Sequence, residues 1–384
     1  MSRIDEEHER TAPGGAASTG PAPTDGGTST GTSVILDPSA GQRSRRSVST
    51  GGITLTLKAL EVGPMVILVL LVVVMAIASD VFLSLENIGN VLKQSAVICV
   101  LALGQLLVIL TRGIDLSVGS NLSLSAVVGA IVWRDYGSAF LSVLAALATA
   151  TIVGLINGVL YVKGRLPHPF IPTLAMLTAA SGLALYLAHS KTIQGVPPFV
   201  NEIGSGRIAS IPGGGPAGWF PTAAIVVVFM AVLVAVITRR LVWGRWIYAV
   251  GGSPEAALRN GIPVGGVLIS VYAVCGLLAG VAALLTMGKG NAGSPTAGSL
   301  AELDAIAAVI IGGASFLGGR GTVLNAITGA LIIAVMRNGF NLLGVDPNWQ
   351  YIATGVVIVV AVELDVVRGR LESRFRGLQA AAAE

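Results

Sequence analysis

The chain has 384 residues, of which 53% are hydrophobic and only 11% charged, with a mean hydropathy of +0.80. Water-soluble domains carry roughly 25% charged residues, so these proportions exclude an ordinary soluble enzyme and indicate an integral membrane protein. The net charge of +4 is modest, and the placement of the basic residues matters more than their sum.

Residues 1–49 are rich in Gly, Ser, Thr, Pro and Ala and poor in large apolar residues, a composition that predicts disorder. The start is acidic (Asp5, Glu6, Glu7, Glu9) and no apolar run follows promptly, unlike a signal peptide. Arg43, Arg45, Arg46 and Lys58 then lead into the first apolar run. The expected organisation is a cytoplasmic tail over 1–58, a transmembrane domain over 59–367 and a cytoplasmic tail over 368–384. Within the domain, apolar segments are laid out at 63–80, 91–110, 116–133, 139–162, 170–188, 221–238, 265–287, 300–318, 322–340 and 351–367. Their lengths suit α-helices crossing roughly 30 Å of hydrocarbon, and the short alternating segments of a β-barrel are missing. The fold class is therefore an all-α integral membrane protein with about ten transmembrane helices.

Ten spans put both termini on one side. With the termini cytoplasmic, only Lys93, Arg134, Lys191, Arg207, Lys289 and Arg337 of the 24 basic residues fall outside, a positive-inside bias. The segment whose loss would reverse this layout, and the weakest of the ten, is 300–318.

Three stretches interrupt the apolar pattern. At 113–120, Gly113, Asp115, Ser117 and Gly119 spoil a continuous span. At 294–321, Glu302 and Asp304 head a short apolar helix that Ser299 is expected to cap, with Glu302 as capping-box partner. The glycines Gly312, Gly313, Gly318, Gly319 and Gly321, around Ser315 and Arg320, suggest broken helices there. Irregular backbone at membrane depth is tolerated where protein buries it or where it lines a watery cavity. That reading makes Gly113, Asp115, Ser117, Gly119, Gly312, Gly313, Ser315, Gly318 and Gly319 candidates for a translocation path; tight helix packing is the structural alternative. The third stretch, 196–218, is a Gly/Pro-rich outer loop of a length that is usually functional or disordered.

Carboxylates at mid-bilayer are costly and usually functional or paired, but Asp115, Glu302 and Asp304 sit near predicted segment ends, where capping or snorkelling also accounts for them. Arg337 either faces solvent or lines a cavity. Glu363 and Asp365 lie beside the basic cluster 368–376, which favours an interfacial ion-pairing role. Cys99 and Cys275 fall inside apolar runs and read as small buried hydrophobes. The sequence shows no HExxH, Ser-His-Asp set or GxSxG elbow, and Lys289 in GKG lacks the rest of a Walker A pattern. No cofactor, metal or nucleic-acid ligand is expected in this chain.

The longest polar interruption of the second half is 244–264, GRWIYAVGGSPEAALRNGIPV. Ser253-Pro254 reads as the cap and first turn of a short helix with Glu255 inside it, and Gly261 and Pro263 stop it. An ordinary surface loop is the bland alternative.

Four blocks, 101–120, 163–185, 244–262 and 301–332, resemble in order and spacing the permease subunits of monosaccharide ABC importers of the ribose, xylose, galactose and arabinose type, with coverage from about 60 to 365. The resemblance implies about ten helices in two related halves, with broken or short helices. It implies a second permease copy, two cytoplasmic ATPase subunits, an extracytoplasmic sugar-binding protein and a multi-pass location in the cytoplasmic membrane among its lipids. It also implies that the helix in 244–264 is the element that docks on the ATPase, through Gly252, Ser253, Pro254, Glu255, Ala256, Ala257, Arg259 and Gly261. The family often has Arg-Leu-Ser-Gly-Ile after the alanines; here Leu258-Arg259-Asn260-Gly261-Ile262 displaces the basic residue by one. A permease for a nucleoside or other small polar solute is the alternative within the family, and a secondary transporter, a channel or a membrane enzyme lies further off.

Overall fold

Backbone polar groups in hydrocarbon must be satisfied within their own segment, so long apolar runs fold as helices. The computed structural model describes residues 50–208, 218–346, 348–350, 352–357, 359–360, 362–363 and 365–366, and is built in that way. The first half comprises α1 (Thr50–Ala78), α2 (Leu85–Leu110), α3 (Val118–Tyr136), α4 (Ala139–Lys163) and α5 (Phe170–Leu187). After the short α6 (Pro198–Ser205) come α7 (Thr222–Arg240), α8 (Val242–Gly252), α9 (Pro254–Arg259) and α10 (Val264–Gly290). Then follow α11 (Ala301–Ile311), α12 (Val323–Leu342) and a last helical stretch described in parts from 348 to 366. Two-residue strands pair antiparallel in two places: β1 (Ile193–Gln194) with β4 (Ala292–Gly293), and β2 (Arg207–Ile208) with β3 (Phe220–Pro221).

Six of these helices, α2, α4, α5, α7, α10 and α12, are long and apolar enough to cross a membrane. Helix α3 is also 19 residues long, but Ser120, Asn121, Ser123 and Ser125 crowd its first half. All four face inward and are buried, so α3 is a polar helix inside the bundle. The expected span 300–318 is corrected: only α11 forms there, and its 11 residues rise about 16 Å, half the hydrocarbon thickness. Nor does Ser299 cap it. Leu300, in left-handed backbone at φ 64°, takes the cap position with no side-chain bond. The interval 196–218 contains α6 and β2, with 209–217 outside the described residues. Of the expected tail 1–58, residues 1–49 lie outside the described residues and 50–58 fall within α1; the expected tail 368–384, with the basic cluster 368–376, lies outside them, whereas most of 351–367 is described and is helical.

At the centre α2 and α10 run antiparallel, with Gly104 against Cys275 and Gly113 against Tyr272. Both cysteines are buried free thiols. Helix α4 packs along α10 through facing glycines. A side chain on Gly276 would strike the Ala150 carbonyl and lie 3.0 Å from Gly154 Cα. Lipid-facing helices look different, since α5 and α7 bury only a few residues each and expose Leu, Val and Phe. Each central helix is followed by a non-helical break, 111–117 after α2 and 291–300 after α10, and the helices that resume, α3 and α11, meet at their N-termini.

Small residues where helices touch let dispersion contacts accumulate without a hydrophobic driving force. Accordingly, Gly276→Leu is expected to cost about 1–3 kcal/mol through overpacking against backbone. Gly266→Ala, whose added methyl meets only Pro263 Cβ at 3.8 Å, should be neutral. Thermal unfolding in detergent is the check: a fall of several degrees for the first variant and none for the second.

Candidate functional site

The two breaks must satisfy backbone that leaves the helix, and side chains from α2, α5 and α10 do this for 111–117, braced by one from α4. Gly113 N–H donates back to the Val108 carbonyl at 2.9 Å. The Gln105 amide pairs with the Asp115 peptide, donating to its carbonyl at 3.2 Å and accepting from its N–H at 3.1 Å. Asp115 Oδ1 accepts from the Ser117 N–H at 2.8 Å and its hydroxyl at 2.7 Å, while Asn157 of α4 donates to Ser117 Oγ at 2.8 Å. Thr173 of α5 and Tyr272 of α10 both donate to the Ile114 carbonyl, at 3.3 and 3.4 Å. Asp115 is 1% exposed and is consumed by this knot.

Beyond the knot, α3 starts beside the second break. Gly119 lies against the Gly298 carbonyl and the Glu302 carboxylate, so closely that a side chain there would overlap both. Ser123 Oγ accepts from the Gly298 N–H at 2.8 Å. Between these elements and α5 lies a cavity of about 190 Å³. Its polar lining is Ser120, Ser123, Ser181, Ser299 and Glu302, with Leu177, Pro295, Gly298 and Leu300 completing the wall. The volume corresponds to roughly six water molecules. Glu302 is 8% exposed. The lining offers hydroxyls and one carboxylate, and no cation. Two half-buried helix N-termini converging on one polar site are a recurrent way of recognising solutes within membranes.

The neighbouring acid is separately engaged. Asp304, 5% exposed, accepts from the Arg337 guanidinium of α12 at 2.6 Å. Thus Arg337, read as facing either solvent or a cavity, faces a carboxylate. The next residue, Asn338, exchanges two amide hydrogen bonds of 2.9 Å with Asn87 of α2. Adjacent residues of α12 therefore hold α11 on one side and α2 on the other.

The turn 312–321 lies at the other end of α11. Gly312 packs on the Asn325 carbonyl and its own carbonyl accepts from the Asn325 amide. Gly313 has φ 94°, and Ser315 stands near Asp365, which accepts from the Phe316 N–H at 3.0 Å. Gly319 N–H donates to the Leu110 carbonyl at 2.9 Å, and Gly318 lies against Arg112. The nine path candidates thus fall in three places: Gly113, Asp115 and Ser117 in the knot, Gly119 beside the cavity, and the remaining five in this turn. Ser123, Leu177, Ser181 and Pro295 did not emerge from the sequence as cavity residues. The i, i+3 spacing of Ser120 and Ser123 was the one available signal, since it places both on one helix face.

Stretch 244–264 forms two helices, α8 and α9, where one was expected. Ser253 Oγ accepts from the Ala256 N–H at 3.2 Å, Pro254 occupies the first turn and Gly261 turns away at φ 78°, so the local cap chemistry is as read. Glu255, Ala256, Arg259 and Gly252 are exposed. Ala257, expected beside Ala256 at an outer contact, is instead turned into the chain's own core. Leu258, 65% exposed, is the large apolar side chain that α9 presents.

Residues 87–362 match the family model described as the permease component of the branched-chain amino acid transport system. The ribose import permease of Escherichia coli (strain K12) is 37% identical over 312 residues, covering 80% of this chain and 94% of that protein. The ribose import permease of Bacillus subtilis (strain 168) is 38% identical over 305 residues, 79% of this chain and 92% of its own. The galactose/methyl galactoside import permease of Escherichia coli (strain K12) is 34% identical over 323 residues, 80% and 94% respectively. No solved structure gives a significant match.

Removing one partner of a buried ion pair strands the other charge, at a cost of about 3–5 kcal/mol, whereas replacing both is often near neutral. Arg337→Leu is therefore expected to destabilise the fold strongly, and Arg337→Leu with Asp304→Asn to recover most of the loss. Unfolding of the purified protein in detergent reads both variants; a double variant no better than the single would contradict the pairing.

Proposed function

The chain belongs to the permease family of the branched-chain amino acid transport system, and on that premise we propose that it is the membrane subunit of an ABC importer for a monosaccharide. The observation that carries the choice of solute is the lining of the cavity: Ser120, Ser123, Ser181, Ser299 and Glu302 offer hydrogen-bond partners to a polyol. A free amino acid brings a carboxylate, and the one charged side chain in the lining, Glu302, is itself an acid that disfavours it. The ribose and galactose permeases to which the chain is similar support the same choice.

In this reading the protein is a multi-pass subunit of the cytoplasmic membrane, with α9 on the cytoplasmic side. It performs no covalent chemistry. Two copies pair, a sugar-binding protein delivers solute from outside, and separate ATPase subunits bind α9. A short rigid helix with a small residue, a charge and an exposed leucine suits a groove on such a partner, and Ala256, Glu255 and Leu258 supply these features. The cavity opens alternately to either side as partners shift the balance between two arrangements of the same chain.

Uptake by the complete transporter in proteoliposomes tests the proposal. Labelled ribose, xylose or galactose should enter only with ATP and the binding protein present. Competition by leucine with none by sugars would overturn the choice of solute, and uptake driven by an ion gradient without ATP would overturn the importer class. In the same system Glu255→Arg should retain the assembled complex and ATP hydrolysis while losing most sugar uptake; unchanged uptake would remove α9 from the docking role.

A further inference from the structure

How movement at α9 reaches the cavity is not explained by its covalent neighbours. Through the chain α9 is joined to α8 and α10, and α10 is the buried post of the bundle, packed against α2 and α4. None of α7, α8, α9 or α10 contributes a residue to the cavity lining. Helix α11 does, through Glu302 in its first turn, and its far end is the turn 312–321.

That turn is fastened to α8 directly by a side-chain bond, and indirectly through the end of α2, where Leu110 and Arg112 sit between the two. Arg112 Nε donates to the Gly251 carbonyl at 2.6 Å and its Nη2 to the Gly252 carbonyl at 2.5 Å, closing the C-terminus of α8 immediately before Ser253 caps α9. Its aliphatic stem covers Gly318. The neighbouring Leu110 carbonyl accepts from Gly319, and Gly251 packs directly on that bond, with no room for a side chain. On the other side Tyr248 of α8 donates its hydroxyl to the Gly321 carbonyl at 2.8 Å. Burial raises the Tyr248 phenol above its ordinary range, which keeps it a protonated donor. Gly318 and Gly319 sit at φ 81° and 72°, left-handed backbone that glycine adopts without strain, which lets the turn close against Arg112, Gly251 and Gly252.

Resting on the proposed function, we propose that Arg112 is a positioning residue that fastens the ATPase-docking segment to α11, so that displacement of α9 reaches Glu302 and the cavity through the turn 312–321. The guanidinium fork suits this task because it holds two carbonyls in one rigid geometry, which an ammonium cannot reproduce. Helix α11 then acts as a lever about 16 Å long, with the docking segment at one end and the solute at the other.

The experiment compares wild type, Arg112→Gln and Arg112→Lys in complete transporters reconstituted with ATPase and binding protein, measuring sugar imported per ATP hydrolysed and ATPase retained per permease. Coupling between distant sites is typically worth roughly 5–150-fold. Arg112→Gln should lower sugar imported per ATP by roughly tenfold at unchanged ATPase stoichiometry, with Arg112→Lys recovering only part. An unchanged ratio in Arg112→Gln, or a loss of uptake that merely tracks a loss of assembled complex, would overturn the inference. If the wild-type transporter itself imports no monosaccharide, the functional reading fails whatever Arg112 does; if it imports sugar and Arg112→Gln does so at the same ratio, the inference alone fails.

Discussion

A backbone that stops being helical within hydrocarbon has to find partners for its free N–H and C=O groups, and this one constraint shapes the whole bundle. The chain leaves the helix after α2 and again after α10. Around the first break, Gln105, Thr173 and Tyr272 are drawn in from three helices to meet the exposed peptides, and Asn157 of a fourth holds the Ser117 hydroxyl. Around the second, Ser123 and the short β1–β4 pairing do comparable work. The close contacts of α4 with α10, and of α3 with the Gly298 region, follow from the need to bring those partners within hydrogen-bonding reach.

The same constraint makes the candidate site. Because α3 and α11 begin at the breaks, their N-termini come together inside the bundle, leaving a small serine-lined cavity with Glu302 at its edge. Asp304, two residues on and so on the opposite side of α11, is neutralised by Arg337, and only one of the two acids is left to face the cavity. The far end of α11 is not loose. It is bound to α2, to Tyr248 of α8 and to Asp365 of the last helical stretch, which puts the cavity and the exposed α9 at opposite ends of one connected body. In the importer reading, solute and ATPase act on that body from its two ends.

Much of this was legible in the sequence, for identifiable reasons. Helix lengths follow from apolar run lengths, and both breaks were marked by glycine and polar residues at 113–120 and 294–321. The cap at Ser253-Pro254 is a purely local bond and was readable as such. What escaped depends on tertiary neighbours. Ser181 lies 58 residues from Ser123 in the chain, and only the packing of α5 over α3 puts them on one cavity. Asp304 meets Arg337 from a different helix, which capping arguments do not anticipate. Ser299 had the right spacing for a capping box, but the contact of this segment with α3 places Leu300 at the cap in left-handed backbone. Hydropathy likewise could not tell that 300–318 stops after 11 helical residues, because the glycines that end α11 are buried against protein and not exposed to lipid.

The claim on which the account rests is that the cavity where α3 and α11 meet lies on the solute's route. The direct measurement is the accessibility of a cysteine placed at Ser181, probed with a charged, membrane-impermeant thiol reagent from each side of sealed vesicles holding the full transporter. The native thiols Cys99 and Cys275 are buried and give a quiet background. The account predicts labelling from one side in the absence of nucleotide and from the opposite side when ATP is held bound. Labelling from neither side in either state, or only by a reagent dissolved in the lipid, would contradict it.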